Sequence, residues 1–315
     1  MALPLVAEEC EAVIRAFSGL GGLGVDEKAL VSTLGKWRRQ PKKRAQLRKS
    51  FAGFFTADGS FERCEYDYLE IEFDRFKNIM VLWAMHPWER DAWWAHLVLE
   101  EGHPFDIIVE IACTRSSEEL IGARKAYHAL FHHSLEEDVA YHVRENYSNL
   151  LVGLVSAYRY KGYWIDEEMA KSEAKTLGSA IKIAGVKKLV ENEEVIRILT
   201  TRSKPHLKVT FKYYREMYGK SIKEDLGDEL CLRETVQCLD SPPEYFSKVI
   251  DEALKDEADE KTKNALTRVI VSRADVDMEE IKEAYHQQYG AELEDVISKN
   301  TFGSYRDALL SLAGQ

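Results

Sequence analysis

One segment occurs three times in this chain, at 109–139, 196–226 and 267–297, and this repeat constrains the fold more than any other feature. Each copy has an arginine preceded by threonine or serine, and a tyrosine twelve residues after the arginine. Four residues before the arginine, each copy has isoleucine or valine. The arginines and tyrosines are Arg115 with Tyr127, Arg202 with Tyr214, and Arg273 with Tyr285. Agreement at several offsets indicates that the chain is built from copies of one structural unit.

A weaker fourth copy leads the chain, with Lys36 in place of the arginine and Phe51 near the position of the tyrosine. Four copies fill the sequence, so an array of four repeats replaces the two-domain organisation that a length of 315 residues would suggest. The predicted repeats span residues 5–87, 88–160, 164–240 and 243–314.

Within each copy, apolar residues recur with the spacing of one helix face, and alternating strand patterns are almost absent. Ser117, Ser134 and Asp259, each followed by acidic residues, are typical helix starts. Apolar helices are expected to close the four units at 79–85, 150–157, 230–239 and 308–313. The sequence therefore predicts an all-α protein with about five short helices in each repeat.

The repeated unit, together with a glycine-rich loop before the first copy, resembles the annexin family. The phrases VLWAMHPWERDA (81–92), EIACTR (110–115) and ARKAYH (123–128) are similar to the plant branch of that family. The resemblance covers nearly the whole chain. It implies a curved disc of four repeats, with five helices each, whose convex face carries calcium sites that bind anionic phospholipid.

The candidate calcium loop is the segment 18–27, in which four glycines occur within six residues. Glycine lets the backbone turn its carbonyls outward, and calcium takes six to eight oxygen ligands, including carbonyls. The resemblance implies that the carbonyls of Leu20, Gly22 and Gly24 bind the ion, although Val25 replaces the threonine of the family pattern. Taken alone, such a loop is also typical of a flexible connector.

An acidic side chain about forty residues later completes the site in the family pattern, and Glu70, Glu72 and Asp74 are the candidates here. Counting back from the last helix of the repeat favours Glu72, with Glu70 second. Leu23, which lies between two glycines, is expected to be exposed at the loop tip and to enter the lipid headgroup region. Cofactor and partner are therefore expected to be Ca²⁺ and an anionic phospholipid membrane.

The other three repeats depart from this pattern. Repeat two has LEEGHPFD (99–106) and repeat three has AGVKKLVENEE (184–194) where the loop belongs. Repeat four has an acid-rich turn, with Asp256 and Glu257 as weak cation ligands, and Asn300 in place of the acidic cap. Weaker lipid binding is expected than for a family member with four complete loops.

Four charged residues match positions that line the central hydrophilic channel of the family: Asp91, Glu110, Arg115 and Arg268. Unpaired buried charge is costly, so pairs of Asp91 with Arg115 and of Glu110 with Arg268 are expected. The pairs have two interpretations, an ion path or salt bridges between the two halves of the protein. Cys113 and Cys238 match a cysteine pair of the plant branch, either for a thiol redox role or as small core residues.

No catalytic constellation is recognisable, so we do not expect an enzyme. His128 and His132 have the spacing of a zinc pair but have no third ligand motif nearby. The tripeptide Ile196-Arg197-Ile198 resembles one that is linked with F-actin in plant annexins, which makes F-actin a possible partner.

A net charge of −11 disfavours nucleic acid as a partner, and it also repels an anionic membrane until calcium bridges the two. Glu8, Glu9 and Glu11 lie where a signal peptide would need an apolar core, and the five cysteines form no CxxC pair. We expect a cytoplasmic protein that associates peripherally with membranes in calcium and stress signalling. The alternative is a helical-repeat scaffold for another protein, with its calcium function largely lost.

Overall fold

The computed structural model describes residues 3–18, 22–37, 39–50, 63–102, 105–143, 147–184 and 186–314. Within these ranges the first helices are α1 (Leu3–Ser18), α2 (Glu27–Trp37), α3 (Pro41–Ser50), α4 (Arg63–Ala84), α5 (Pro87–Glu101), α6 (Asp106–Thr114), α7 (Ser117–Phe131), α8 (Leu135–His142), α9 (Ser148–Val155) and α10 (Glu167–Ala184). A 3₁₀ segment, Val186–Glu191, leads into α11 (Glu193–Thr201), α12 (Lys204–Tyr218), α13 (Ile222–Asp225), α14 (Leu230–Asp240), α15 (Pro242–Ala253), α16 (Glu260–Arg273), α17 (Met278–Tyr289), α18 (Leu293–Asn300) and α19 (Gly303–Ala313). In these described ranges the β structure is a single bridge between Leu23 and Thr301, so the all-α prediction is confirmed.

The helices form two compact units. Unit 1 combines both ends of the chain, Met1–Ala84 with Phe246–Gln315, whereas unit 2 is the continuous stretch Met85–Tyr245. Predicted repeats two and three fall within unit 2, and repeats one and four fall almost entirely within unit 1. The residue boundaries of the individual repeats stay a prediction.

Helix starts follow the local capping chemistry that the sequence indicates. Ser134 begins α8 with a reciprocal capping box, in which its hydroxyl accepts the Glu137 N–H and the Glu137 carboxylate accepts the Ser134 N–H. Asp259 caps α16 by accepting the Thr262 N–H at 2.8 Å. At α7 the prediction was off by one residue, because Ser116 rather than Ser117 makes the capping box, with Glu119.

The repeated arginine of unit 2 is explained by a buried carboxylate. Arg115 donates two hydrogen bonds of 2.8 Å to Asp91, which lies on α5. Arg202 contacts Glu173 of α10, at 2.8 Å from Nε and 2.7 Å from Nη2. Each arginine follows the second helix of its repeat, so the ion pair fixes that helix end against the first helix.

The repeated tyrosine has a matching explanation. Tyr127 donates its hydroxyl to Asp138 at 2.7 Å, and Tyr214 donates to Asp225 at 2.8 Å, so each bond spans eleven residues. Both rings are buried, and the phenol therefore needs a polar partner. In unit 1 the partner changes, because Tyr285 donates to Asp251 at 3.3 Å.

Apolar helices end the four predicted repeats close to where the sequence predicted them. The predicted segments fall on α4, α9, α14 and α19, although 79–85 and 150–157 extend one and two residues past the ends of α4 and α9. Buried residues of these helices include Ile79, Leu150, Val236 and Leu309. Among the described residues, no helix combines the length and apolar character that crossing a bilayer requires.

Candidate functional site

The glycine loop joins α1 to α2, and its described part begins at Gly22. Leu20, a predicted carbonyl ligand, lies outside the described residues. The loop is anchored at its end by Asp26, whose N–H donates to the Ala16 carbonyl at 2.9 Å. The Asp26 carboxylate accepts the Ala29 N–H at 3.0 Å and so caps the first turn of α2.

Gly24 has a backbone conformation that favours glycine, with φ of +90°. A Cβ atom there would also lie 2.9 Å from the Phe302 carbonyl oxygen. The Gly24 N–H donates to the Glu72 carboxylate at 2.6 Å, across 48 residues of sequence. The loop and the predicted acidic cap are thus in direct contact.

Leu23 does not lie where the sequence interpretation placed it. Its side chain is buried, with 4% exposed, whereas the predicted lipid contact requires an exposed leucine. Its N–H donates to the Asn300 carbonyl, and its carbonyl accepts the Phe302 N–H, both at 2.8 Å. The expectation of an exposed leucine at the loop tip is therefore wrong, because this bridge to the segment between α18 and α19 turns the residue into the core of unit 1.

Of the three candidate acidic residues, only Glu72 meets the loop. Its exposed fraction is 1%, whereas Glu70 is exposed and Asp74 pairs with Lys77 at 2.5 Å. Glu72 lies in the interior of α4, although the sequence placed the cap just before a helix. Residues two positions apart on a helix differ by about 200° in rotation, so Glu70 and Glu72 point to nearly opposite faces of α4.

Arg75, one helix turn after Glu72, was not identified from the sequence. Its exposed fraction is 2%, and it donates from Nε to Glu72 Oε2 and from Nη2 to Glu72 Oε1, both at 2.7 Å. The guanidinium also reaches α16, with 2.8 Å to Glu260 and 3.3 Å to the Asn264 amide oxygen. Burial alone would lower the pKa of Arg75, but the hydrogen bonds and charge of Glu72 outweigh it and raise the pKa above its usual range.

The oxygen atoms present suit calcium by type and position, since a carboxylate lies against a loop of backbone carbonyls. However, both oxygens of that carboxylate are hydrogen-bonded to Arg75. Among the described residues, no group of three or more His, Cys, Asp or Glu side chains is arranged to hold a metal ion. A cation at this loop must therefore draw on backbone oxygens and must compete with Arg75 for Glu72.

Comparison with known proteins identifies the family. The annexin family model matches residues 101–154, 172–231 and 245–312, which together exceed half of the chain. The chain belongs to the annexin family. Annexins bind membrane phospholipids in a calcium-dependent way and are generally not enzymes.

The similarity to individual annexins extends over the whole chain. Annexin D4 of Arabidopsis thaliana is 47% identical, over 99% of this chain and 98% of its own length. Annexin Gh1 of Gossypium hirsutum is 38% identical, over 99% and 96% respectively. Among solved structures, chicken annexin V is 25% identical and superposes with a TM-score of 0.68, covering 98% of this chain and 96% of its own.

In this annexin, repeats three and four keep a side-chain cap at the start of the helix that follows the loop, whereas α6 of repeat two begins after Phe105 without one. Asn192 caps α11 by accepting the Glu194 and Val195 N–H groups at 3.1 Å. Asp259 does the same for α16, so Asp26, Asn192 and Asp259 share one capping role. Asp256 and Glu257 are exposed, and cation binding by repeat four stays a prediction.

The channel-like residues are buried. The predicted pair of Asp91 with Arg115 is present, with two bonds of 2.8 Å within unit 2. Glu110 is 0% exposed and Arg268 is 4% exposed; they belong to different units, and their pairing stays a prediction. Burial of Arg115 alone would lower its pKa, but the charge and hydrogen bonds of Asp91 raise it above its usual range.

Cys113 and Cys238 are fully buried free thiols. Burial raises the pKa of Cys113 to about 11 and the pKa of Cys238 well above its usual value. Because the thiolate is the reactive form, this environment favours the core interpretation over the redox interpretation. The redox role stays an untested prediction.

The two motifs considered for other partners are part of the fold. His132 adopts a left-handed conformation, φ 65°, as the C-cap of α7, so it leaves the helix on which His128 lies. In the actin-like tripeptide, Ile198 is 0% exposed, and Arg197 contacts Glu173 and Glu194. Neither observation favours a zinc site or an actin-binding surface.

Proposed function

We propose that this annexin binds anionic phospholipid membranes peripherally and in a calcium-dependent manner through the glycine loop of repeat one. The observation that supports the proposal is the 2.6 Å hydrogen bond from the Gly24 N–H to the Glu72 carboxylate, which lies against the loop. The backbone carbonyls of Leu20, Gly22 and Gly24 and the carboxylate of Glu72 would hold the ion. Calcium supplies positive charge at this point and can take lipid phosphate oxygens as further ligands.

The whole-chain charge explains why the binding should need calcium. At −11 the protein is repelled by an anionic leaflet, which carries a negative surface potential. A bound divalent ion reverses the sign of the charge locally, and the loop then attracts the lipid phosphates. The response to calcium makes a role in calcium signalling in the cytoplasm part of this proposal.

Co-sedimentation with vesicles tests the proposal. We expect the wild-type protein to pellet with phosphatidylserine vesicles only when calcium is present, and not with phosphatidylcholine vesicles. The variant Glu72→Gln removes one anionic ligand, and we expect its calcium midpoint to rise about tenfold, equivalent to about 1.4 kcal/mol.

Glu70→Gln is the matched control, because Glu70 has the same side chain on the same helix and is exposed. Its calcium midpoint should equal that of the wild type. Circular dichroism confirms that both variants are folded at the temperature of the assay. An unchanged midpoint in Glu72→Gln would contradict the assignment of the cap, and no pelleting of the wild type would favour the scaffold function instead.

A further inference from the structure

Arg75 occupies the position that a bound cation would take on Glu72. Its guanidinium makes two parallel hydrogen bonds of 2.7 Å to the two carboxylate oxygens, the geometry that arginine adopts in strong carboxylate pairs. With exposed fractions of 2% for Arg75 and 1% for Glu72, the pair is removed from water. The charge of Glu72 is therefore already neutralised within the protein.

Calcium and Arg75 compete for the same two oxygens. A carboxylate that gives both oxygens to a guanidinium offers calcium only its remaining lone pairs. Two cations on one buried carboxylate also repel each other strongly, because charges are screened less in the protein interior than in water. Occupancy of Glu72 by calcium and by Arg75 is thus mutually exclusive.

We propose that Arg75 is an internal cation that holds Glu72 in the calcium-free protein, so that calcium binds the repeat-one loop only by displacing Arg75. The proposal rests on the calcium function proposed above and adds a regulatory residue to it. Glu72 then has two states, one paired with Arg75 and one bound to calcium at the loop.

The structure provides a place for the displaced guanidinium. Arg75 already contacts Glu260 at 2.8 Å and Asn264 at 3.3 Å, both on α16 in repeat four. Glu260 is more exposed than Glu72, with 36% of its side chain accessible, so it can accept the arginine near solvent. Arg75 can therefore leave Glu72 without becoming an unpaired buried charge, which would be prohibitive.

The competition lowers the apparent calcium affinity by a factor set by how often Glu72 is free of Arg75. The apparent dissociation constant is the intrinsic one divided by the fraction of molecules in the competent state. If Arg75 leaves Glu72 free in about one molecule in ten, removal of the guanidinium improves the apparent affinity about tenfold.

The variant Arg75→Gln tests the proposal through calcium titrations. In sedimentation with phosphatidylserine vesicles, we expect its calcium midpoint to be about tenfold lower than that of the wild type. In thermal unfolding without vesicles, its melting temperature should be lower than that of the wild type without calcium, because Glu72 has lost its partner. Saturating calcium should raise that melting temperature more than it raises the melting temperature of the wild type.

Two further variants separate competition from a purely structural role. Arg115→Gln breaks a comparable buried pair, with Asp91 in unit 2, and should lower the melting temperature without changing the calcium midpoint. The double variant Glu72→Gln, Arg75→Gln should lose the gain in calcium affinity. If Arg75→Gln does not fold, Arg75→Lys decides, because it keeps the charge but not the two parallel bonds, and its midpoint should also fall below that of the wild type.

The outcomes distinguish this inference from the proposed function. A wild type that binds vesicles with calcium, beside a folded Arg75→Gln variant with an unchanged or higher midpoint, would overturn the competition and leave the function intact. A wild type that does not respond to calcium, beside an Arg75→Gln variant that does, would support the competition and overturn the function of the natural chain. No calcium response in any variant would overturn both.

Discussion

Gly24 and Leu23 are neighbours in one loop, and the structure gives them different physical roles. Gly24 combines a positive φ with a close approach to Phe302, so its lack of a side chain is required by both conformation and space. Leu23 turns inward because its backbone is bonded on both sides to the segment at Asn300 and Phe302. A glycine-rich loop can therefore carry one residue of the core.

The variant Leu23→Ala tests this burial. Truncating a buried leucine removes apolar contacts and leaves a cavity, so we expect the free energy of unfolding to fall by about 2–4 kcal/mol. Urea denaturation measures the loss. Val31→Ala is the control, because Val31 is 66% exposed on the adjacent α2 and should change stability by less than about 0.5 kcal/mol.

Vesicle binding of the folded Leu23→Ala variant at saturating calcium should equal that of the wild type. Weaker vesicle binding without a loss of stability would mean that Leu23 reaches the lipid after all.

Among the helices of unit 2, one buried carboxylate joins three elements. Glu173 on α10 contacts Arg197 of α11 at 3.2 Å, Arg202 at the end of α11 at 2.7 Å, and His206 of α12 at 2.9 Å. Burial alone would raise the pKa of Glu173, but the hydrogen bonds from Arg202 and His206 outweigh it, and the pKa lies below its usual value of 4.5. The ionised form is therefore the one that stabilises the fold.

Glu173→Gln should lower the free energy of unfolding by about 1.5–3 kcal/mol at pH 7, since it removes the counter-charge of Arg197 and Arg202, which are about one-third exposed. The folded pKa of Glu173 is lower than the unfolded one, so its contribution is present above about pH 4.5 and is lost as the pH falls through the folded pKa. The stability difference between wild type and variant should therefore shrink below pH 4.5.

Denaturant titrations between pH 7 and pH 3 measure this difference. Glu168→Gln is the control, because Glu168 lies on the same helix with 85% of its side chain exposed. A gap between wild type and Glu173→Gln that stays constant down to pH 3 would show that the charge of Glu173 is not what stabilises α10, α11 and α12.

The elements show what local sequence can and cannot predict. Helices and their caps were predictable, because the 3.6-residue period and residues such as Ser134 and Asp259 act within one or two turns. The repeat also identified Tyr127 and Tyr214, but not their partners Asp138 and Asp225, since no pattern in a single segment shows which acid a phenol will meet.

The candidate site was predictable to the same degree. The family pattern favoured Glu72, and the structure brings its carboxylate into contact with the loop at Gly24, while its role as a calcium ligand stays a prediction. Arg75 was missed because an arginine one turn after a glutamate is ordinary on an exposed helix face, and only the packing of α4 against α16 buries it. Leu23 was misplaced for a related reason, since its partners are almost 280 residues away in the sequence.

The whole molecule combines a continuous unit with a discontinuous one. Among the described residues, unit 2 contains both partners of four buried contacts: Asp91 with Arg115, Glu173 with Arg202, Tyr127 with Asp138 and Tyr214 with Asp225. Unit 1 needs both chain ends, since Glu72 and Arg75 come from the first and Glu260 from the last part. Residues at the two ends of the sequence therefore belong to one compact unit, and the middle of the sequence forms the other.

This organisation predicts which fragments fold. We expect residues 85–245, expressed alone, to be helical and to unfold cooperatively in urea, because all the contacts of unit 2 are retained. The fragment 1–160 has almost the same length but divides both units, so it keeps Asp91 with Arg115 and loses Glu260 and α14, which packs on α6. We expect it to show no cooperative transition.

Circular dichroism during urea titration, with near-ultraviolet spectra to detect fixed aromatic packing, measures both fragments. If 1–160 unfolded cooperatively and 85–245 did not, consecutive repeats rather than the two compact units would be the units of folding.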